Sequence, residues 1–378
     1  TINSMALNVE EILNRAAPEI LDPLDGRSDL EKRIIRADSE ESLRRDPVRM
    51  LRAFRFAAML KFSIESGTLD MIRRNKGAIR QSAGERVRSE FFIGLGEGGA
   101  GSFLRSMHTA GILEEIFPET RKWSVVVRTR PDPMSLLDHA FRSAEAAENI
   151  LSRVGGIYPS FPNPIQHHFG EQVEEGISRA TLVRFASFLH DSGKPESGVA
   201  KAEKRFPIFL DHDQAGERVN ASIARRLRLS RRSLRILSVV TRHHMRLPAL
   251  AGARDLTGRA KYRFWRDLGK EGIDIIFVAI ASGMASEDSD CCAAALENPR
   301  AKRLIEIGGE LLTYYFGEFS RGARKPLLTG EEVMEHLRLP QGEKVGKALE
   351  RLREAEAEGR IRTREEALEF LKNIDNYL

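Results

Sequence analysis

Apolar residues recur at every third or fourth position over much of the chain, which is the spacing of amphipathic helices. A short apolar pair, Ile34–Ile35, is interpreted as a strand. The glycine-rich residues 94–102 have no Lys and no preceding strand, which a phosphate-binding loop needs, so they are interpreted as a connection between helices. The pattern therefore predicts a mainly α fold, with helices over residues 8–15, 64–75, 83–94, 104–117 and 233–242.

One polar stretch interrupts this pattern with a dense array of charges. Asp46 followed by Pro47 is a typical helix start, because Asp accepts a free N–H and Pro fits the first turn. Arginines then follow at every third position, so they lie along one flank of the predicted helix: Arg49, Arg52 and Arg55.

A carboxylate beside an arginine has the groups needed to select a nucleotide base. Cytosine and adenine each present an amine donor beside a ring-nitrogen acceptor, whereas uracil and guanine present the reverse order. Asp46 accepting from the amine and Arg49 donating to the ring nitrogen would select C and A. Arg52 and Arg55 would then hold phosphate or stack. The alternative is that Asp46 only caps the helix and the arginines form a solvated face.

Further motifs occur around this stretch in a fixed order. Asp22-Pro23 with Gly26, Ile34-Ile35-Arg36, the Asp46–Phe56 segment and Glu85-Arg86-Val87-Arg88 together resemble the class II tRNA nucleotidyltransferases and poly(A) polymerases, the family of the CCA-adding enzymes. The resemblance implies transfer of C and A from CTP and ATP to the 3′ end of tRNA with Mg²⁺. It also implies that Asp46 and Arg49 template the incoming base.

The resemblance also implies where the catalytic groups should lie. In this family a Gly-Ser turn and a strand with two carboxylates spaced i, i+2 hold the Mg²⁺ ions, and both would precede Thr1. Two other Asp pairs, at 211–213 and 288–290, lack that preceding context. We therefore expect the chain to be truncated, with no catalytic residue of its own and no nucleotide transfer by itself.

Histidines and carboxylates appear on separate predicted helices in residues 126–300, an arrangement that suits a divalent metal that activates water. Their order resembles the HD phosphohydrolase domain. The resemblance implies His139, His190 and Asp191 as metal ligands, with His212 and His243 as candidates for a second metal.

The last ligand of the HD pattern is an Asp after an apolar run. Here Ser282 occupies that position after the run 275–281, and a hydroxyl is a poor ligand for a hard cation. Two interpretations therefore stay open, a working or impaired phosphohydrolase and a scaffold with satisfied histidines. His167 and His168 match no motif and are expected in a loop.

The last part of the chain is charged and helical. Two capping boxes are predicted, Thr329 with Glu332 and Thr363 with Glu366. Lys344 and Lys347 lie at the start of a long predicted helix, whose N-terminus favours phosphate. The segment resembles the tail that grips tRNA in the same enzymes, although a helical hairpin with solvated charges is the alternative.

Composition limits the partners and the cellular setting that we expect for this chain. Lys and Arg exceed Asp and Glu by 60 to 55, which permits a polyanionic partner without requiring one. The adjacent Cys291 and Cys292 suggest no disulfide framework, so a cytoplasmic setting is expected. The longest apolar run, 273–285, is too short to span a bilayer, and no membrane partner is expected. Oligomeric state cannot be read from the sequence.

These observations predict four regions: a remnant of an α/β palm (1–45), a helical neck (46–125), a helical HD domain (126–300) and a helical tRNA-binding tail (301–378). Linkers are expected at 128–133, 159–170 and 318–325. The predicted function is tRNA nucleotidyl transfer. The alternatives are an HD-type metal-dependent phosphohydrolase and a non-catalytic tRNA-binding module.

Overall fold

The structure is a computed structural model. The structure describes residues 1–13, 19–128, 134–200, 208–286, 298–320 and 327–374. Helices make up 72% of it and strands 5%, far below the strand content of about 20–25% that is usual in globular proteins. The prediction of a mainly α fold is confirmed. Asp288, Asp290 and both cysteines lie outside the described residues.

The first part of the chain alternates short strands with helices. Its strands are β1 (Ala6–Leu7), β2 (Ile20–Leu21), β3 (Ile34–Ile35) and β4 (Ser63–Ile64). Its helices are α1 (Val9–Leu13), α2 (Gly26–Glu31), α3 (Glu40–Arg45), α4 (Val48–Leu60), α5 (Ser66–Asn75), α6 (Gly84–Gly96), α7 (Ala100–Thr109), α8 (Leu113–Ile116) and α9 (Thr120–Trp123).

The remaining chain is almost entirely helical. Its strands are β5 (Val127–Arg128), β6 (Met134–Ser135), β7 (Gln172–Glu174), β8 (Ile177–Ser178), β9 (Gly198–Ala200) and β10 (Ile208–Leu210). Its helices are α10 (Leu136–Ser152), α11 (Val154–Ile157), α12 (Pro162–Gly170), α13 (Arg179–Leu189), α14 (His212–Arg226), α15 (Arg231–His243), α16 (Arg246–Ala251), α17 (Gly258–Leu268), α18 (Glu271–Met284), α19 (Pro299–Tyr314), α20 (Gly330–Leu337), α21 (Glu343–Ala357) and α22 (Arg364–Ile374).

Each sheet among the described residues is a single pair of short strands. The predicted strand Ile34–Ile35 is confirmed as β3, which pairs in parallel with β4 so that Ile35 lies opposite Ile64. This pairing joins the first 45 residues to the predicted neck. Strand β1 pairs with β2 in antiparallel fashion.

Two predictions about the neck have different outcomes. The glycine-rich stretch does connect two helices, since α6 ends at Gly96 and α7 begins at Ala100. The N–H groups of Gly99 and Ala100 donate to the two carboxylate oxygens of Glu148 at 2.8 and 2.7 Å, so a side chain occupies this helix start. The single helix predicted over 104–117 is wrong, because Gly111 adopts a left-handed φ of +74° and separates α7 from α8.

One continuous apolar core extends from Ile35 to Leu312, so the neck and the HD region share their interior. An aromatic cluster joins the two regions: Phe91 and Phe92 of α6 each contact Phe185 of α13 at ring centroid distances of 5.5 and 5.1 Å. Helix α18 is buried along nearly its whole length, which explains its continuous apolar run.

The tail forms a second, smaller core from α20, α21 and α22. Both predicted capping boxes are present, since Thr329 and Glu332 exchange hydrogen bonds and so do Thr363 and Glu366. The nearly buried Glu354 of α21 accepts from Arg263 of α17 and pairs with Arg259 at 2.6 Å. These ion pairs fix the tail against the body.

The predicted linker at 159–170 and the loop position of its histidines are wrong. Residues 162–170 form helix α12, and the side chain of His168 is buried against the body. His168 Nε2 lies 2.9 Å from Asp274 Oδ1, and Arg179 donates to the same carboxylate at 3.0 and 2.6 Å. The other two linkers, at 128–133 and 318–325, lie largely outside the described residues.

Within the described ranges, none of the helices is both long and apolar enough to cross a bilayer.

Asp274→Ala should lower the free energy of unfolding by about 3–5 kcal/mol, because it leaves the buried charge of Arg179 without its main partner. Urea denaturation followed by circular dichroism measures this. Asp70→Ala is the matched control, since Asp70 makes an exposed ion pair with Arg73 and its loss should cost less than about 1 kcal/mol. Equal losses in the two variants would contradict a structural role for the buried pair.

Lowering the pH should remove the stabilisation that the Asp274 carboxylate provides. Burial raises the pKa of Asp274, but the charge of His168 and hydrogen bonds from His168 and Arg179 outweigh it and hold the pKa below its ordinary value. A depressed carboxyl pKa stabilises the fold above the unfolded value and loses that contribution as the pH falls through the folded value. Denaturation at pH 7 and at decreasing pH below about 4 should therefore show a steeper loss in the wild-type chain than in Asp274→Ala.

Candidate functional site

The first candidate site lies where α3 ends and α4 begins. Asp46 follows the last residue of α3, Pro47 turns the chain, and α4 starts at Val48, so the predicted helix start is confirmed within one residue. The backbone carbonyl of Asp46 accepts from the N–H of Arg49 at 3.0 Å. This turn places the Asp46 carboxylate and the Arg49 guanidinium on the same side of the helix.

Asp46 is held by an arginine that the sequence pattern did not pair with it. Arg86 of α6 donates to Asp46 Oδ2 at 2.8 Å, and Arg49 Nε lies 3.8 Å from the same oxygen. The hydrogen bond from Arg86 is the main reason that the pKa of Asp46 is lowered, so the group is a carboxylate at neutral pH. In the described part of the chain, no group makes a well-formed hydrogen bond to the buried Oδ1.

A cavity of about 630 Å³ opens beside Arg49. Arg49 and Arg52 face it, together with Asp38, and residues 1–4 form part of its wall. Its volume lies within the range of about 300–1,000 Å³ usual for small-molecule sites. Asp46 lies next to Arg49 at the edge of this cavity and does not line it.

The other two arginines of the series differ in their surroundings. Arg52 faces the cavity with its Nε 4.0 Å from Glu90 of α6. Arg55 is largely buried, pairs with Glu90 at 2.8 Å and lies over the ring of Phe56. Burial raises the pKa of Glu90, and the charges of Arg55 and Arg52 oppose that effect. Arg55 therefore does not line the cavity, and its contacts are with Glu90 and Phe56.

The second candidate site lies in the HD region, where three predicted ligands meet. His139 of α10 is fully buried, and its Nε2 lies 3.4 Å from His190 Nε2 at the end of α13. Asp191 Oδ2 lies 3.3 Å from His190 Nε2 and 3.8 Å from His139 Nε2. These three donor atoms are close enough together to hold one metal ion.

A second group shares Asp191. Its other oxygen, Oδ1, lies 3.5 Å from His244 Nε2 and 4.0 Å from His212 Nε2. The prediction of His243 at this position is wrong. His243 is the last residue of α15, and the next residue, His244, turns into the cluster. Periodicity alone does not decide which of two adjacent histidines at a helix end faces inward.

Backbone contacts orient two of these rings. Nδ1 of His190 bonds the carbonyl of Ser187 at 2.7 Å, and Nδ1 of His244 bonds the carbonyl of Thr241 at 2.7 Å. A carbonyl can only accept, so each Nδ1 carries a proton and each Nε2 is left to accept or to bind a metal. This is the ring orientation of histidines that bind metals.

Two features of the cluster argue against a hard divalent ion. Ser282 lies at the predicted position, with its hydroxyl 3.3 Å from His139 Nε2, so a neutral group stands where the HD pattern has a carboxylate. Lys194 Nζ lies 2.5 Å from Asp191 Oδ2. Burial would raise the pKa of Asp191, but the charges of Lys194 and His190 outweigh it and hold the pKa well below its usual range. Positive groups of the protein itself thus balance the negative charge of Asp191.

The tail lysines are placed as expected at the start of α21. Lys344 and Lys347 both lie in its first turns, and Lys347 forms an exposed ion pair with Glu343 at 2.8 Å. Their role in RNA binding stays a prediction.

Two family profiles match this chain. One, described as "Probable RNA and SrmB- binding site of polymerase A", matches residues 61–124, which include α5 to α9. The other is the HD domain profile, which matches residues 136–276 and includes all five clustered ligands, whereas Ser282 lies beyond its end.

Known proteins resemble the chain along nearly its whole length. A CC-adding tRNA nucleotidyltransferase of Geobacter sulfurreducens is 29% identical over 98% of this chain and 72% of its own length. An A-adding tRNA nucleotidyltransferase of Deinococcus radiodurans is 28% identical over 98% of this chain and 76% of its own length.

Solved structures share the fold. A CCA-adding enzyme in complex with ATP superposes with a TM-score of 0.59 at 18% identity, over 100% of this chain and 70% of that one. The Thermotoga maritima CCA-adding enzyme in complex with tRNA gives a TM-score of 0.55 at 18% identity, over 99% and 71%. With the Asp46–Phe56 motif, the polymerase A RNA-binding profile and the HD profile in this order, the chain belongs to the CCA-adding tRNA nucleotidyltransferase and poly(A) polymerase family with an HD domain.

Proposed function

We propose that this chain selects CTP and ATP for addition of C, A or both to the 3′ end of tRNA. The observation that carries the proposal is the pair of Asp46 and Arg49 at the edge of a nucleotide-sized cavity. The carboxylate of Asp46 lies beside the Arg49 guanidinium, and a carboxylate can accept from the exocyclic amine that cytosine and adenine share. Arg49 donates to the adjacent ring nitrogen.

The surrounding side chains have separate roles in this proposal. Arg86 positions the Asp46 carboxylate, and Arg52 holds the phosphates in the cavity. Arg55 supports the site through Glu90, which is a change from its predicted contact with the nucleotide. Lys344 and Lys347 bind the tRNA backbone without reading its sequence.

Transfer itself needs a divalent ion, which the family resemblance gives as Mg²⁺. Our proposal concerns selection of the nucleotide and assigns no ligand to that ion. The four-region division of the chain and a cytoplasmic location stay predictions.

Asp46→Ala should weaken binding of CTP and ATP and reduce their preference over UTP and GTP by roughly 5- to 150-fold, the value of about 1–3 kcal/mol for a good pair of base contacts. Calorimetric titration of the chain with each of the four nucleotides measures both effects. Asp70→Ala, which removes an exposed carboxylate from α5, is the matched control and should bind as the wild-type chain does. An unchanged preference in Asp46→Ala would refute the templating role.

A second function, metal-dependent phosphoester hydrolysis, is favoured by one observation: Asp191 lies between two pairs of histidines whose Nε2 atoms face it. A bound divalent ion would supply activated water. Imidazole ligands suit Ni²⁺ and Zn²⁺ better than Mg²⁺, and the shared carboxylate of Asp191 also suits Mn²⁺. His139, His190 and Asp191 would hold one ion, and His212 and His244 with Asp191 another.

His190→Ala should abolish Mn²⁺ binding and any release of phosphate from a 2′,3′-cyclic nucleotide. Ser282→Asp should tighten Mn²⁺ binding roughly tenfold, because it restores a carboxylate beside His139. His243→Ala is the matched control, since His243 is outside the cluster and its loss should change neither quantity. Titration calorimetry and a phosphate-release assay measure these outcomes. If the wild-type chain binds neither Mn²⁺ nor Ni²⁺, the cluster is a scaffold.

A further inference from the structure

The basic charge of the chain is concentrated in one segment. Between Glu217 and Asp255 the sequence contains ten arginines and no Asp, Glu or Lys. Removing these ten from the 60 Lys and Arg leaves 50 basic residues against 55 acidic ones, so the rest of the chain is net negative although the whole is +5. The segment covers most of α14, all of α15 and α16, and the turns between them.

Nine of the ten arginines divide into two sets by their contacts, and the tenth, Arg254, follows the end of α16. One set anchors the segment through acidic partners: Arg226 with Glu119, Arg232 with Glu171, Arg242 with Glu217 and Arg246 with Asp267. The other set lies on the α14–α15 hairpin, is exposed, and has no ion pair with any described residue: Arg218, Arg225, Arg228, Arg231 and Arg235. We refer to these five as the arginine hairpin.

The unpaired side chains have regular spacing. Arg218 and Arg225 are seven residues apart on α14, and Arg231 and Arg235 are four apart on α15, so each pair shares one helix face. Arg228 lies in the turn between them with a left-handed φ of +53°. Five like charges held together cost free energy through mutual repulsion, and an anionic partner would relieve that cost.

The neck holds the arginine hairpin in place. Arg88 of α6 donates to the backbone carbonyl of Arg228 at 2.6 Å. At Gly84, the first residue of α6, a Cβ would lie 2.3 Å from the carbonyl oxygen of Arg226, so only glycine permits this close approach. The hairpin is therefore a rigid extension of the neck surface.

The same helix start reaches the base-recognition site. Arg86 donates to Asp46, and Arg88, two residues later, donates to the hairpin. Two residues correspond to about half a turn, so α6 contacts the two surfaces from roughly opposite sides. A strand of RNA that passes over the start of α6 would meet both surfaces.

We propose that the arginine hairpin binds the phosphate backbone of the RNA whose 3′ end is held at Asp46 and Arg49. This deepens the proposed function and depends on it for the identity of the RNA. Guanidinium groups pair with phosphate through two hydrogen bonds, and such contacts give affinity and orientation without reading the sequence. The HD region thereby contributes to substrate binding through a surface separate from its histidine cluster.

The surface chemistry favours RNA over a membrane. A helix that lies on a bilayer exposes large apolar residues beside its basic ones. Among the described residues from the start of α14 to the end of α16, Met245 is the only large apolar side chain that is exposed. Arginine without apolar neighbours suits a hydrated phosphate backbone.

The test compares binding of a tRNA transcript without its CCA end by the wild-type chain and by Arg225→Gln/Arg231→Gln/Arg235→Gln, over a series of KCl concentrations. Each phosphate-binding arginine that is replaced should reduce the slope of log K against log salt by about 1. The triple variant should therefore bind roughly 10- to 100-fold more weakly at about 0.1 M salt, with a slope smaller by about 2 to 3. All three side chains are exposed and unpaired in the described structure, and a thermal melt checks that the variant is folded.

Two controls separate a local surface from general charge. Arg153→Gln/Arg254→Gln/Arg300→Gln removes the same charge from exposed arginines outside the α14–α15 hairpin and should leave slope and affinity nearly unchanged. Arg225→Lys/Arg231→Lys/Arg235→Lys should retain most of the slope, because lysine keeps the charge. Equal reductions in the two glutamine variants, or an unchanged slope in the hairpin variant, would overturn the inference.

A result that contradicts the proposed function differs from a result that contradicts the role of the arginine hairpin. If the wild-type chain does not bind the tRNA transcript at any salt concentration, the assignment of tRNA as substrate is wrong. If it binds tRNA and the hairpin variant binds equally well, that assignment stands and the hairpin has no part in it. Binding of anionic lipid vesicles in preference to tRNA by the hairpin would also refute the inference.

Discussion

Helix α6 is the element on which both candidate binding surfaces depend, and its packing imposes the main constraint on the molecule. Its two phenylalanines, Phe91 and Phe92, are buried against Phe185 of the HD region, so the helix cannot move without opening the shared core. Its first turns carry Arg86, which holds Asp46, and Arg88, which holds the arginine hairpin. Burial of an aromatic pair thus fixes two charged surfaces relative to each other.

In the HD region, two kinds of neighbour can balance the negative charge of the buried Asp191 carboxylate. Asp191 has the neighbours of a metal ligand, with imidazole Nε2 atoms near both oxygens. It also has the ammonium of Lys194 at 2.5 Å, which supplies a positive charge from the protein. Because Ser282 stands where the HD pattern has a carboxylate, the group of His139, His190 and Asp191 has one fewer anionic ligand than that pattern. The fold therefore does not need an ion to keep Asp191 charged.

Much of the fold follows from local rules that act within one element. Helical periodicity and the two capping boxes in the tail depend on residues three or four positions apart, so they were predicted and are present. The order of Asp46 and Arg49 on a helix start also follows from local spacing. His190 and Asp191 were placed together because they are adjacent after a buried helix.

Other features depend on residues far apart in the chain, and only the tertiary structure decided them. His168 lies in a Pro-rich stretch that looks like a loop, but it is helical and buried because Asp274, 106 residues later, accepts its hydrogen bond. His244 rather than His243 enters the histidine cluster because the rotation of α15 against α18 is set by packing. Arg86 donates a hydrogen bond to Asp46, although the two residues are 40 positions apart in the sequence. The sequence alone determined which elements form and which chemistry they carry, because those depend on short-range spacing; the tertiary structure decided which charges meet, because that depends on how the elements pack.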